Sequence, residues 1–202
     1  MTSCKAIAIR LAAGAALLVA VALASPTAGA AGTSPAASRA SLPALAVSHA
    51  SAHVVQRQPP PDSCRARGSG EFSRPDPRCT PGAIDAAVRQ STIRYTICRS
   101  GYTRTVRPSE SITNREKRAS MAAYGDGTRT SAFEYDHLVP LELGGAANDA
   151  RNLWPEPGAS PNPKDALENR LHRLVCTGSM RLATAQRAIA HDWIGLYRQL
   201  YG

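Results

Sequence analysis

Apolar positions recur most regularly near the C-terminus. Leu182, Ala185, Ile189, Trp193, Leu196 and Leu200 follow at three- and four-residue steps, which predicts a helix over about 182–200 with one buried face. A second helix is announced by Asn162-Pro163-Lys164-Asp165, with Asn as N-cap, Pro at the first helical position and Asp in the first turn. It runs to about Cys176 and stops near Gly178. Leu167, Leu171, Leu174 and Val175 fall on one side of it, whereas Asp165, Glu168, Asn169 and His172 cluster on the other. A third helix opens at Thr113-x-x-Glu116, a capping-box pattern, and ends near Tyr124 before Gly125-Asp126-Gly127. Strands are fewer: Arg94-Tyr95-Thr96-Ile97 reads as one entering Cys98, and Phe133 to Leu138 as another. From Asn152 to Pro163 the chain is rich in Pro and Gly and reads as loop. Several helices with little strand predict an α+β domain.

The pattern changes before Cys64. Lys5 and Arg10 precede an apolar run, Leu11 to Ala24, that is shorter than the roughly 20 residues of a spanning helix. Ala28-Gly29-Ala30 then offers small residues where a signal peptidase reads, so residues 1–30 are expected to be a signal peptide and the protein to be secreted, with no membrane anchor after cleavage. Residues 31–63 are dominated by Ala, Ser and Pro, and are expected to be a disordered linker because they offer too little apolar surface to offset ordering. The folded domain is placed at 64–202. Cys64, Cys79, Cys98 and Cys176 are even in number for an oxidising compartment and allow three pairings. Cys64–Cys79, closing a local loop, and Cys98–Cys176, tying the domain's start to a late helix, are favoured. No C-x-x-C spacing suggests structural zinc.

Charge narrows the partner. The chain carries 24 Lys+Arg against 15 Asp+Glu, a formal +9. Such a balance suits polyanions, whether nucleic acid, an acidic wall polymer or a membrane surface. No recognition helix, zinc finger or aromatic RNA-binding signature accompanies it. No Ser, Cys or paired-carboxylate constellation for another hydrolase is recognisable either.

The chemistry concentrates at Asp136-His137-Leu138-Val139-Pro140-Leu141, followed by Gly144-Gly145, Asn152-Leu153 and the polar-faced helix from Lys164. These residues, with the run through Lys164-Asp165, Glu168-Asn169, Leu171-His172 and Val175-Cys176, resemble the HNH endonucleases of the ββα-metal fold, in particular a group of exported bacterial HNH proteins. The resemblance covers roughly Thr80 to Tyr197. It implies a metal-dependent endonuclease acting on DNA, or possibly RNA, with low sequence specificity. Asp136 would be a metal ligand, His137 the general base and Asn152 the residue that pins the intervening loop and supports His137. Departure comes at the third letter of the motif. Asn169, His172 and Asp165 are its candidates, in that order, because Asn162 already serves as N-cap. Mg2+ is the expected ion, with Mn2+, Ni2+ or Zn2+ as alternatives. Arg151, Lys164, Arg170 and Arg173 are expected to follow the phosphate backbone, with further cations from the Arg-rich stretch Arg94 to Arg118. The alternative is a secreted basic module that binds nucleic acid or another anionic polymer on an inactive HNH scaffold. No protein partner is evident.

Overall fold

The computed structural model describes residues 44–202, so the expected signal peptide and the first part of the expected linker lie outside the described residues. The elements in chain order are β1 (Ala46–Ser48), β2 (Arg67–Ser69), β3 (Phe72–Arg74), β4 (Ala83–Asp85), α1 (Tyr102–Val106), α2 (Glu110–Tyr124), β5 (Phe133–His137), β6 (Leu153–Pro157), α3 (Pro163–Cys176) and α4 (Leu182–Tyr201). Short 3-10 turns occupy Ile93–Tyr95, Thr130–Ala132 and Leu141–Leu143. Three two-stranded sheets form: β1 with β4 in parallel, β2 with β3 and β5 with β6 antiparallel. Helix and strand are therefore mixed, compatible with the α+β expectation.

The larger core gathers Leu167, Leu171 and Val175 of α3 with Leu182, Ala185, Ile189 and Trp193 of α4, against Leu138, Val139 and Leu143 of the connection after β5. Those are the helix positions that the periodicity marks as apolar. A smaller cluster joins Cys64, Ala123, Tyr124 and Trp154, with Cys79 packed on it. Both expected disulfides are present, Cys64–Cys79 and Cys98–Cys176, with Cα separations of 6.0 and 5.6 Å.

Four local expectations are corrected. Arg94–Ile97 is not a strand. Ile93–Tyr95 forms a 3-10 turn, because the Thr92 hydroxyl accepts from Arg89 N and the Thr96 hydroxyl donates to the Thr92 carbonyl, so the segment satisfies itself locally and pairs with no strand. The helix placed at Thr113 starts at Glu110 instead; Ser109 precedes it without a side-chain cap. Glu116 closes no capping box, being fully buried and accepting from Gln56 N at 2.6 Å. The expected loop after Asn152 contains β6, in which Tyr135 faces Pro155 and Phe133 faces Pro157. A two-stranded sheet leaves each strand a free edge, which tolerates residues without an N–H. Finally, residues 44–63 are not a free tether. β1 pairs with β4, Gln58 Nε2 donates to Tyr135 Oη at 3.2 Å, and Asn148 Nδ2 donates to the carbonyls of Ser51 and Val54 at 2.8 and 2.7 Å. Backbone and side-chain hydrogen bonds hold a segment whose apolar content alone would not.

Candidate active site

The β5–β6 hairpin sets Asp136 opposite Trp154 and His137 opposite Leu153. Between these strands the chain makes a tight excursion, from Leu138 to Asn152, that Asn152 closes. Its Oδ1 accepts from Val139 N at 2.9 Å, and its Nδ2 donates to the carbonyls of Val139 and Ala146 at 2.9 and 3.1 Å. With no exposure and all these bonds directed at the backbone, Asn152 fixes the loop. The Gly-Gly pair is required here. Gly144 has φ +73°, and a Cβ at Gly145 would lie 1.7 Å from the Val139 carbonyl oxygen.

The excursion delivers the Ala147 carbonyl to His137, whose Nε2 lies 3.0 Å from it. A carbonyl only accepts, so Nε2 carries the proton and Nδ1 keeps its lone pair. Burial presses the His137 pKa down to about 4, against the opposing pull of the Ala147 carbonyl and Asp136. The imidazole is therefore neutral at pH 7.

Asp136 and His137 line a cleft of about 230 Å³ with Glu134, Glu142, Asp165, Glu168, Thr103 and Arg107 among its other walls. Beneath it is the feature the sequence did not foretell. Lys164 is almost completely buried, and its Nζ donates to Asp136 Oδ2 at 2.6 Å, to the His137 carbonyl at 2.9 Å and to Glu168 Oε1. All three ammonium protons are thus used, and Lys164 is an internal counter-ion, not the phosphate contact expected of it. Burial would raise the Asp136 carboxyl, but the Lys164 ammonium, aided by Glu156 and His137, holds it below the ordinary value. Burial likewise works against the ammonium, and the charges of Asp136, Glu168 and Glu156 outweigh it, keeping Lys164 well above its usual value. Glu156 is pushed up to about 10 by burial and by Asp136. It is a neutral acid at pH 7, which explains how two buried carboxyl groups tolerate one another. Burial pushes Glu168 up to about 8.

The other expected site residues are dispersed. Asp165 lines the cleft, but its Oδ2 accepts from Asn162 N at 2.9 Å and Ser160 Oγ at 2.8 Å, closing the capping box of α3. Asn169 is exposed and donates to the Asp165 carbonyl one turn back, so it is not brought to Asp136. His172 lies further along α3, its Nε2 2.9 Å from the Ile97 carbonyl oxygen and clear of the cleft lining. Of the expected phosphate contacts, Arg151 forms a two-point ion pair with Asp149, and the Arg170 guanidinium sits 5.6 Å from the Tyr201 ring centroid. Arg173 is exposed on α3 but does not line the cleft. Glu168 and Glu156 were the acids to find. Glu168 stood on the polar face of the predicted helix, whereas Glu156, between two prolines in a supposed loop, gave no sign of burial.

Among the described residues, one group of side chains has the spacing to hold a metal ion. Cys98, His172 and Cys176 have ligand atoms within 4.8 Å of one another and could hold a metal ion. The two sulfurs are joined in the disulfide, however, so they become thiolate ligands only on reduction. The cleft wall carries acids instead, though no three of them bring ligand atoms within 4.8 Å of one another. Glu134 Oε2 and both Glu156 oxygens are buried without a hydrogen-bond partner among the described residues. Glu156, protonated at pH 7 and not part of the cleft wall, is no ready ligand, so hard donors for an ion of the Mg2+ or Mn2+ type would come from the acids of the wall itself. Compared with protein-family models, curated proteins and solved structures, the chain matches none.

Proposed function

We propose that this protein is an exported, metal-dependent endonuclease of the HNH type that hydrolyses phosphodiester bonds, with DNA as its principal substrate. The observation that carries the reading is the fixed tautomer of His137 beside Asp136 in an acid-lined cleft. Neutral at pH 7 and with Nδ1 free to accept, His137 can take the proton of a water directed at phosphorus, a role worth about 10² to 10⁴ in rate. Asp136 and Glu168 would hold the cation, with remaining positions left to water and substrate oxygens, as Mg2+ commonly requires. When bound, the ion supplies charge stabilisation at the phosphate and at the leaving 3′ oxygen. Asn152 holds the loop that presents the Ala147 carbonyl, and Lys164 holds the Asp136 carboxylate in place. Export is supported by two disulfides, and no described helix is long and apolar enough to cross a membrane.

Plasmid nicking tests the reading. The wild-type protein should cut with Mg2+ or Mn2+ and stop in excess chelator, and His137→Ala should lose about two to four decades of rate while remaining folded. Undiminished cutting in chelator, or by His137→Ala, refutes it.

One observation favours a second reading, a nucleic-acid binder on an inactive scaffold. The Lys164 ammonium already lies between Asp136 and Glu168, where it competes with a cation for the same carboxylates. Tight binding without turnover across Mg2+, Mn2+, Ni2+ and Zn2+ would select this alternative.

A further inference from the structure

Lys164 and Arg151 are paired with acids, and Arg170 and Arg173 do not line the cleft, which leaves the Arg-rich stretch that begins at Arg94. From Arg94 to Arg107 the chain has four arginines and no acid. Arg107 lines the acid cleft itself, and it acts electrostatically on both His137 and Glu134. Two further hollows continue from there. One of about 290 Å³ shares Thr103 and Glu142 with the cleft and extends to Arg99, and another of about 330 Å³ shares Arg99 to Tyr102 with that and reaches Arg104. Shared walls set the three depressions side by side. Arg99, Arg104 and Arg107 are exposed, and none has a carboxylate within 4.0 Å among the described residues. By contrast, Arg74, Arg78, Arg151 and Lys164 are all paired with an acid.

We infer that Arg99, Arg104 and Arg107 form the track along which a nucleic-acid backbone enters the cleft, with Arg107 meeting the phosphate nearest His137. The physical case is one of available charge. A phosphodiester approaching the ionised acids of the cleft is repelled, and Arg107 is the one cation among the described residues of the cleft wall that can offset them. The other two arginines extend the favourable potential outward along the hollows. Because such arginines meet the backbone and not base edges, the track confers affinity without sequence preference. The Cys98–Cys176 disulfide anchors the start of this segment to α3, so the track keeps its place beside the site.

The inference takes its occupant from the nuclease reading, yet the two can fail separately. Binding is measured on full-length His137→Ala protein without turnover, by fluorescence anisotropy of a labelled DNA duplex over a range of salt. Adding Arg99→Ala, Arg104→Ala and Arg107→Ala together should reduce the magnitude of the log–log salt slope by about 0.9 for each phosphate no longer neutralised, roughly 2.7 in all. Each substitution should also weaken binding by about eightfold near 0.1 M salt. Arg173→Ala, exposed on α3 away from the cleft, is the control and should leave the slope unchanged. An unaltered slope in the triple variant, with its melting temperature preserved, overturns the track. So does an equal fall in the Arg173→Ala control, which would mean that net charge and not placement governs binding. The nuclease reading is judged on plasmid cleavage by wild-type protein, so a track that binds without cutting upholds this inference while refuting that one.

Discussion

The two ends of α3 are built alike and do opposite things. Lys164, Glu168, His172 and Cys176 follow one another at four-residue steps, a spacing that keeps neighbours on a common side of the helix. At the N-terminal end, Lys164 and Glu168 meet Asp136 and the end of β5, and a buried ammonium is balanced against carboxylates. At the C-terminal end, His172 and Cys176 meet Ile97 and Cys98, through a ring-to-carbonyl hydrogen bond and a disulfide. One end is held by charges that need each other and the other by a bond that needs nothing further. What the opposing segment supplies decides which chemistry a helical stripe performs.

The sharpest way to break the comparison is at the charged end. Lys164→Ala leaves Asp136 and Glu168 buried without their counter-ion and should cost about 3–5 kcal/mol in urea unfolding. Lys164→Met combined with Glu168→Leu removes charge of both signs and should cost distinctly less than the sum of the single changes. Additive losses would show that the ammonium and the carboxylate do not act as a unit.

Next comes the disulfide end. Cys98→Ser with Cys176→Ser should cost about 2–4 kcal/mol, the usual worth of a bridge that restricts the unfolded chain. Adding Zn2+ to reduced wild-type protein should recover part of that loss by binding the folded state, whereas the double Ser variant should gain nothing. Recovery in both would place any zinc elsewhere than at Cys98, His172 and Cys176. The smallest effect is expected at His172. His172→Leu removes one hydrogen bond to the Ile97 carbonyl and should lower stability by roughly 1 kcal/mol, without the decades of rate lost at His137. A rate loss as large as that of His137→Ala would return His172 to the active site.

Much of the scaffold was legible from periodicity. The apolar stripes of α3 and α4 pointed to the larger core, and Asn162 with Pro163 marked the start of α3 because capping chemistry is local. Less legible were segments whose conformation depends on a distant partner. β6 hid behind Pro155 and Pro157, and the Thr92 and Thr96 hydroxyls turned a strand-like run into a 3-10 turn. Among the candidate site residues, Asp136, His137 and Asn152 were singled out by the resemblance, and all three lie on the β5–β6 hairpin and its closing loop.

The amino-acid sequence by itself determined which residues could act: an acid beside a histidine, a glycine pair where a Cβ has no room, and a polar helix face following a sharp N-cap. Tertiary structure decided what each one touches. Asp165 became a capping residue, Asn169 stayed on the surface, and His172 went to the disulfide. Lys164, read as a surface cation, was drawn inward as the charge that makes a cluster of buried carboxylates tolerable. The physical reason is that capping and periodicity are properties of a few consecutive residues. The cost of burying a charge depends on every group brought around it, and those groups come from β5, β6 and α3 together.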